Sequence, residues 1–139
     1  MRVDARVDAY VPADYIGAEA LKIDLHRRLA LAESEDELRE LHAATEDRYG
    51  PLPEPVENLF AIQEVKHKLA QIGADYLVFR SGKTTIGQLV LGSGELRDLR
   101  GLLETAVYST AGKEVSLRTE RFKQSVELAD AILALRRAI

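Results

Sequence analysis

Residues 46–55 read Glu46-Asp47-Arg48-Tyr49-Gly50-Pro51-Leu52-Pro53-Glu54-Pro55 and hold three of the four prolines of the chain. Gly50 favours the left-handed conformation that ends a helix, and Pro51 cannot continue one. Pro53 and Pro55 preset the backbone for the first turn of a new helix. The pattern predicts a rigid corner between two helices. Its charged residues favour a docking surface over a catalytic loop, although a plain helix connector has the same composition.

Acidic charge is concentrated around this corner. The chain has 139 residues and a net charge of −4. Residues 33–57 contain nine acids and two basic residues, so they carry −7 and the remainder of the chain carries +3. Such a surface repels phosphate, so we expect no nucleic-acid contact in this half and a basic protein surface as its partner. A solvated helix face that only aids solubility is the alternative.

Helical periodicity continues on both sides of the corner. Apolar stripes predict helices over about residues 18–32, 34–49 and 54–72. Ser34 fits the N-cap of the second helix, with Glu37 completing a capping box. In the first helix, Ile23 and Ala30 lie opposite the main stripe, so we expect this helix to be covered on two sides. The spacing turns four positions of the second helix outward, namely Asp36, Glu40, Ala43 and Asp47.

Strand periodicity occupies much of the rest of the chain. Alternation from Val3 to Val11 predicts a strand that ends at Pro12. Further elements are expected toward the C-terminus: a hairpin of residues 76–79 and 84–91, a short helix from Ser93 or Gly94, a strand over residues 113–117, and a last helix capped by Thr119. The predicted fold is α+β. We expect one compact domain over residues 1–139, with a helix-rich N-terminal half followed by a small, mostly antiparallel sheet with flanking helices.

Composition excludes several classes of protein. The apolar share of 46% is ordinary for a globular fold, whereas 6% aromatic residues argues against a base-stacking surface. The absence of cysteine removes disulfides and thiolate sites. No apolar run has the length of a membrane span, and the N-terminus does not have the pattern of a signal peptide. We expect a soluble, cytoplasmic chain without membrane contact.

Apparent chemical motifs do not add up to a catalytic site. Residues 81–85 contain the Gly-Lys-Thr end of a phosphate-binding loop, but Leu77 stands where that pattern needs its first glycine. We therefore expect a hairpin turn there. His26, His42 and His67 do not have metal-ligand spacing, and no acid is paired with a nucleophile. The sequence predicts no catalytic residue, no cofactor and no metal.

Three segments in a fixed order carry a family resemblance. They are Val7-Asp8-Ala9-Tyr10-Val11-Pro12-Ala13-Asp14-Tyr15-Ile16, the helix Lys22-Ile23-Asp24-Leu25-His26-Arg27-Arg28-Leu29, and Asp47-Arg48-Tyr49-Gly50 followed by Pro53 and Pro55. In this order they resemble the C-terminal domain of the bacterial transcription-repair coupling factors (Mfd), over residues 7 to 75. Two positions depart from the family pattern. His26 stands where a tyrosine is usual, and Ala44 stands where some members carry an acid one helical turn before Asp47.

The resemblance implies a regulatory role. In the family, the full-length factor recognises stalled RNA polymerase, moves along DNA by ATP hydrolysis in a separate motor, and recruits the excision-repair protein UvrA through a UvrB-like module. The C-terminal domain resembles a lid that masks the UvrA-binding face of that module until polymerase is engaged. This implies a non-catalytic domain whose direct partner is the UvrB-like module of the same polypeptide, with UvrA and RNA polymerase as indirect partners.

The resemblance also implies the residues of the interaction site. Asp47 is the expected contact to an arginine of the UvrB-like module, with Glu40 as a second acid on the same face. Glu46 and Arg48 complete the expected partner-binding set. The lack of an acid at Ala44 leaves two alternatives, a looser lid or an anchor shifted to Glu40 and Glu46.

Two other function classes stay open on the sequence. A small enzyme using Asp and His would be favoured by a cleft that joins two of the three histidines near a carboxylate. A nucleic-acid-binding accessory domain would be favoured by four arginines gathered on one face. These are Arg118, Arg121, Arg136 and Arg137, which alternate with acids as on an ordinary solvated helix.

Overall fold

A computed structural model describes residues 2–5, 7–122 and 124–137 of the chain. The described residues form five helices and a five-stranded mixed sheet, which confirms the predicted α+β class. The chain divides into two compact units, Val7–His67 and Met1–Arg6 with Lys68–Ile139. One domain over residues 1–139 stays a prediction. Among the described helices, none combines the length and apolarity that a membrane crossing needs.

The unit Val7–His67 is built from helices. These are α1 (Glu19–Leu31), α2 (Glu35–Tyr49) and the part of α3 (Glu54–Ile72) up to residue 67. Their bounds agree with the predicted helices to within a residue or two. The apolar stripes meet in one core, formed by Val11, Ile16, Leu25, Leu29, Leu38, Val56 and Phe60. One expectation was wrong: the opposite face of α1 is open, with Ile23 52% exposed and Ala30 also exposed.

The first strand is shorter than its sequence pattern predicts. The strand β1 covers Arg2–Ala5, whereas alternation continues to Val11. The Asn58 side chain donates a hydrogen bond to the Asp8 carbonyl over 3.0 Å, so that carbonyl bonds to a helix residue instead of to a neighbouring strand. Val11 then enters the helical core. Alternation alone could not separate a strand from this tethered, irregular segment.

The second unit contains the sheet. Its strands are β1, β2 (Tyr76–Arg80), β3 (Lys83–Gly87), β4 (Val107–Ser109) and β5 (Glu114–Arg118), and its further helices are α4 (Ser93–Leu102) and α5 (Gln124–Arg137). The strand order is β1-β2-β3-β5-β4, with β1 parallel to β2 and every other pair antiparallel. One sheet face packs on α5 and on the turn before it: the Thr84 hydroxyl lies 2.8 Å from that of Ser125 in α5, and the Phe79 ring lies 5.7 Å from that of Phe122 in the turn.

The hairpin was predicted correctly, but the strand that follows its turn ends early. Ser81 and Gly82 have φ values of 53° and 73°, as a tight two-residue turn requires. The predicted strand over residues 84–91 ends at Gly87, because Gln88 has a φ of 58°. The Tyr108 hydroxyl then donates to the Leu89 carbonyl over 2.8 Å, outside the ladder of β3. The short strand β4, which contains Tyr108, was not predicted.

The last helix does not begin at Thr119, as its sequence suggested. Instead, α5 begins at Gln124, whose side-chain oxygen accepts from the backbone N–H groups of Glu120 and Arg121 at 2.6 and 2.9 Å. The Thr119 hydroxyl lies 2.8 Å from that of Thr84 and is buried. Thr119 therefore connects β3 to the segment before α5 instead of capping the helix, and Gln124 binds the backbone of the turn that precedes α5.

Candidate protein-interaction site

The acidic helix α2 has well-defined ends. At its start, the Ser34 hydroxyl accepts from the Glu37 backbone N–H over 3.1 Å, as predicted. The Glu37 carboxylate accepts from the Glu33 N–H over 2.6 Å, one residue before the position that a standard capping box uses. At its end, Gly50 has a φ of 92° and its N–H donates to the Glu46 carbonyl over 2.8 Å. The outward face of α2 is therefore carried on a helix fixed at both ends.

The corner after α2 is tied to the N-terminal segment by Tyr15. The Tyr15 hydroxyl donates to the Gly50 carbonyl over 2.8 Å, and its ring lies 5.8 Å from that of Tyr49. Burial, followed by the negative charges of Glu46 and Glu57, raises the pKa of Tyr15 above its ordinary value. The hydroxyl therefore stays protonated and able to donate at any physiological pH. Sequence reasoning did not assign Tyr15 a role, because no local pattern connects it to Gly50.

His42 links α2 to α3. Its Nε2 contacts the Glu57 carboxylate of α3, and its Nδ1 lies 4.0 Å from the Glu46 carboxylate. The imidazole packs edge-on against Phe60, with ring centroids 5.1 Å apart. His67 lies elsewhere, with its Nε2 3.0 Å from the Ala32 carbonyl, and His26 is exposed. Within the described part of the chain, no three His, Asp or Glu side chains are arranged to hold a metal ion.

The four predicted partner-binding residues lie on α2, Glu40 near its middle and the other three in its last turn, and all are exposed. Glu46 faces His42, and the Arg48 guanidinium lies 5.1 Å from the centroid of the Tyr49 ring. In the described residues, Glu40 and Asp47 form no ion pair. The expected site therefore separates into two engaged side chains and two acids that are open to a partner.

Glu40 and Asp47 share one face of α2. They are seven residues apart, which places them two turns and about 10.5 Å apart along the helix axis. Asp36 lies on the same face but pairs with Arg39, whose pKa is raised by that hydrogen bond. Two acids at this distance can contact two cations of a facing surface at the same time.

A groove runs beside Glu40 between α1 and α2. Its volume is about 380 Å³, and Glu37 and Glu40 line it together with Arg28 of α1. Leu41 and Ala44 contribute apolar surface. The small Ala44 side chain, where some family members carry an acid, therefore leaves space next to Glu40 instead of a further charge. Arg28 is held by Asp24, with 2.9 Å between Nε and the carboxylate.

The four arginines whose gathering on one face would favour a nucleic-acid-binding domain are only partly described. Arg118 ends β5, and Arg121 lies in the turn before α5; both are exposed. The side chains of Arg136 and Arg137 lie outside the described residues. The gathering of these four arginines therefore stays untested.

Comparison with known proteins gives consistent results. The family model described as the TRCF domain matches residues 5–88. A transcription-repair-coupling factor of Mycobacterium bovis is 41% identical over 66 residues, covering 48% of this chain and 5% of that protein. One of Staphylococcus epidermidis is 32% identical over 101 residues, covering 73% of this chain and 8% of that protein. The chain thus spans less than a tenth of the length of these relatives.

A solved structure supports the same assignment at the level of the fold. A crystal structure of the C-terminal domain of transcription-repair coupling factor superposes with a TM-score of 0.76 at 18% sequence identity. The match covers 98% of this chain and 93% of that one. The architecture described above is therefore that of a known domain.

Proposed function

The chain belongs to the TRCF domain family, and from this premise we propose that it is the regulatory C-terminal domain of a transcription-repair coupling factor. In this proposal it docks on the UvrB-like module of the same polypeptide. Docking masks the face that binds UvrA, until engagement of RNA polymerase moves the domains apart. The observation that carries the proposal is the pair Glu40 and Asp47, two exposed acids on one face of a helix with fixed ends.

The position of Asp47 supports a partner contact. Asp47 lies two residues before the end of α2, where the helix dipole disfavours a carboxylate by about 0.3–1 kcal/mol. Arg48, the neighbouring cation, stacks on Tyr49. Local helix stability therefore does not account for an acid at this position. An arginine on the docked module would account for it.

The groove next to Ala44 defines the rest of the contact. An arginine that reaches Glu40 lays its aliphatic stem over apolar surface, and Leu41 and Ala44 provide it. Glu40 and Asp47 then serve as the two anchors of the lid. Glu46 is a less suitable anchor, because it already faces His42.

We propose no catalytic role for this chain. The Gly-Lys-Thr segment of the hairpin resembles a phosphate-binding loop, in which the threonine hydroxyl would bind Mg²⁺. Here the Thr84 side chain is buried and lies 2.8 Å from the hydroxyls of both Thr119 and Ser125. The motor and its ATP chemistry belong to the remainder of the polypeptide in this proposal.

Charge reversal at Asp47 tests the lid. In the full-length factor, Asp47→Arg replaces an attraction by a repulsion, and a charged contact contributes about 1.5–3 kcal/mol. UvrA binding measured without RNA polymerase should therefore become stronger by roughly tenfold or more. Asp14→Arg is the matched control, because Asp14 is also an exposed acid of the unit Val7–His67 but lies outside α2. It should leave UvrA binding unchanged.

The proposal fails on a clear outcome. If Asp47→Arg and the double variant Glu40→Arg, Asp47→Arg remain folded by circular dichroism yet bind UvrA no better than wild type, then α2 is not the contact surface of a lid.

A further inference from the structure

The face of the sheet opposite α5 ends in three basic residues. Alternate residues of β2, β3 and β5 are buried, among them Leu77, Phe79, Thr84, Ile86, Val115 and Leu117. The residues between them point to the other face, because successive side chains of a strand alternate. At one end of that face lie Arg80, Lys83 and Arg118, all exposed.

These three cations form one row across three strands, which we call the basic row. Arg80 is directly opposite Lys83, and Lys83 is directly opposite Arg118. Like charges in directly opposed positions destabilise a sheet. In the part of the chain that the structure describes, none of the three takes part in an ion pair. The positive charges of the basic row are therefore not neutralised by ion pairs, and the stability of the fold does not explain them.

The unit that contains the row is basic overall. Residues 1–6 and 68–139 contain thirteen basic residues and nine acids, a net charge of +4. Residues 7–67 contain six basic residues and fourteen acids, a net charge of −8. The charge of the chain therefore has two opposite signs in its two units, and a partner of the second unit is expected to be anionic.

We propose that the basic row is a second docking surface, which binds an acidic helix of a partner protein. Neighbouring strands lie about 4.8 Å apart, so Arg80 and Arg118 are separated by about 9.6 Å. A helix with carboxylates at positions i, i+4 and i+7 presents them along about 10.5 Å of its axis. Each cation of the row can then face one carboxylate. This surface is formed by other residues than the acidic face of α2, and the proposal does not depend on the lid.

A single-stranded nucleic acid fits this surface less well than an acidic helix. Binding of single strands needs aromatic side chains beside the cations, on which bases stack. Tyr76 is the aromatic residue on this face of β2, but it lies four residues from Arg80, about 13 Å along the strand. Its ring covers Gly87, where an added Cβ would come within 1.8 Å of the ring, and its hydroxyl donates to Glu114 over 2.8 Å. A stacked base would therefore lie next to a carboxylate.

Fluorescence anisotropy with a synthetic peptide tests the proposal on the isolated chain. The probe is a labelled, alanine-rich helical peptide with glutamates at i, i+4 and i+7, and a second peptide carries the same glutamates at three consecutive positions. We expect the chain to bind the first peptide at low salt, more tightly than the second, and to release it at high salt. Lys83→Glu and Arg118→Glu should each weaken binding by roughly tenfold or more.

The matched control is Arg97→Glu. Arg97 is an exposed cation of α4 in the same unit, so its reversal changes the net charge by the same amount away from the basic row. It should alter peptide affinity by less than about twofold. Circular dichroism of every variant checks that the fold is retained.

Three outcomes would overturn the proposal. The first is absence of peptide binding at millimolar peptide and low salt. The second is an equal loss in Arg97→Glu and Lys83→Glu, which would indicate general charge attraction. The third is tighter binding of an oligothymidine strand or a DNA duplex than of the peptide, abolished by Lys83→Glu, which would assign the row to nucleic acid. None of these outcomes depends on whether α2 acts as a lid.

Discussion

At the scale of single residues, Tyr15 fixes the end of the helix that carries the proposed docking site. Tyr15 holds the Gly50 carbonyl across 35 residues of sequence, at the point where α2 ends. The Tyr15 ring contacts the Tyr49 ring, and the Arg48 guanidinium packs over the Tyr49 ring. Asp47 is the neighbour of these anchored residues. The orientation of Asp47 toward the proposed partner therefore depends on the corner at Gly50 as well as on α2.

Tyr15→Phe should reveal this tie through stability and its pH dependence. Loss of the hydrogen bond to Gly50 should lower the free energy of unfolding by about 1 kcal/mol at neutral pH. Because the pKa of Tyr15 is raised in the folded protein, the unfolded chain loses this proton first as pH rises past 10.0. The contribution of Tyr15 to the free energy of unfolding must then fall as pH rises, and Tyr15→Phe lacks this contribution. Urea unfolding should show a smaller difference in the free energy of unfolding between wild type and Tyr15→Phe above that pH than at neutral pH. A gap that stays constant or widens would contradict the assignment.

At the scale of elements, like charges on neighbouring strands destabilise the hairpin of β2 and β3. Arg80, Lys83 and Arg118 repel one another across neighbouring strands. An acid at the central position would form two favourable cross-strand pairs instead. A cation at this position therefore lowers the stability of the sheet, as expected of a residue that serves the proposed docking surface.

Lys83→Glu should therefore stabilise the isolated chain. Replacing two like-charge pairs by two opposite-charge pairs should raise the free energy of unfolding by about 0.2–1 kcal/mol per pair. Chemical denaturation at low salt measures it, and high salt should reduce the gain. Arg97→Glu, on the surface of α4, is the control and should change stability by less than about 0.5 kcal/mol. A loss of stability in Lys83→Glu alone would mean that the lysine makes favourable contacts within the sheet.

The elements also mark what can be predicted from the sequence. The bounds of α3 and the outward position of Glu40 and Asp47 follow from helical periodicity, which is a local property. After Gly87 the chain leaves β3 at Gln88, and the Leu89 carbonyl accepts from Tyr108. Beyond β1, the Asp8 carbonyl accepts from Asn58. The contact between His42 of α2 and Glu57 of α3 likewise needs the folded chain. These features are set by contacts between residues distant in sequence, which no local pattern contains.

At the scale of the whole molecule, the small free energy needed to hold a domain closed suits the proposed reversible lid. Keeping a closed state at a population of about 99% needs about 2.7 kcal/mol. Attachment within one polypeptide can supply an effective concentration in the millimolar range. Two charged contacts, through Glu40 and Asp47, are then sufficient. An interface this weak can be opened by a competing engagement elsewhere in the factor.

A charge-swap cycle in the full-length factor tests the lid most directly. UvrA affinity without RNA polymerase is measured for wild type, Asp47→Arg, the reverse substitution of the facing arginine of the UvrB-like module to aspartate, and both together. If Asp47 holds the lid through that arginine, each single variant binds UvrA more tightly, and the double variant returns toward the masked wild-type affinity because the pair is restored in reverse. A double variant that binds UvrA as tightly as the single variants, or tighter, would contradict the account.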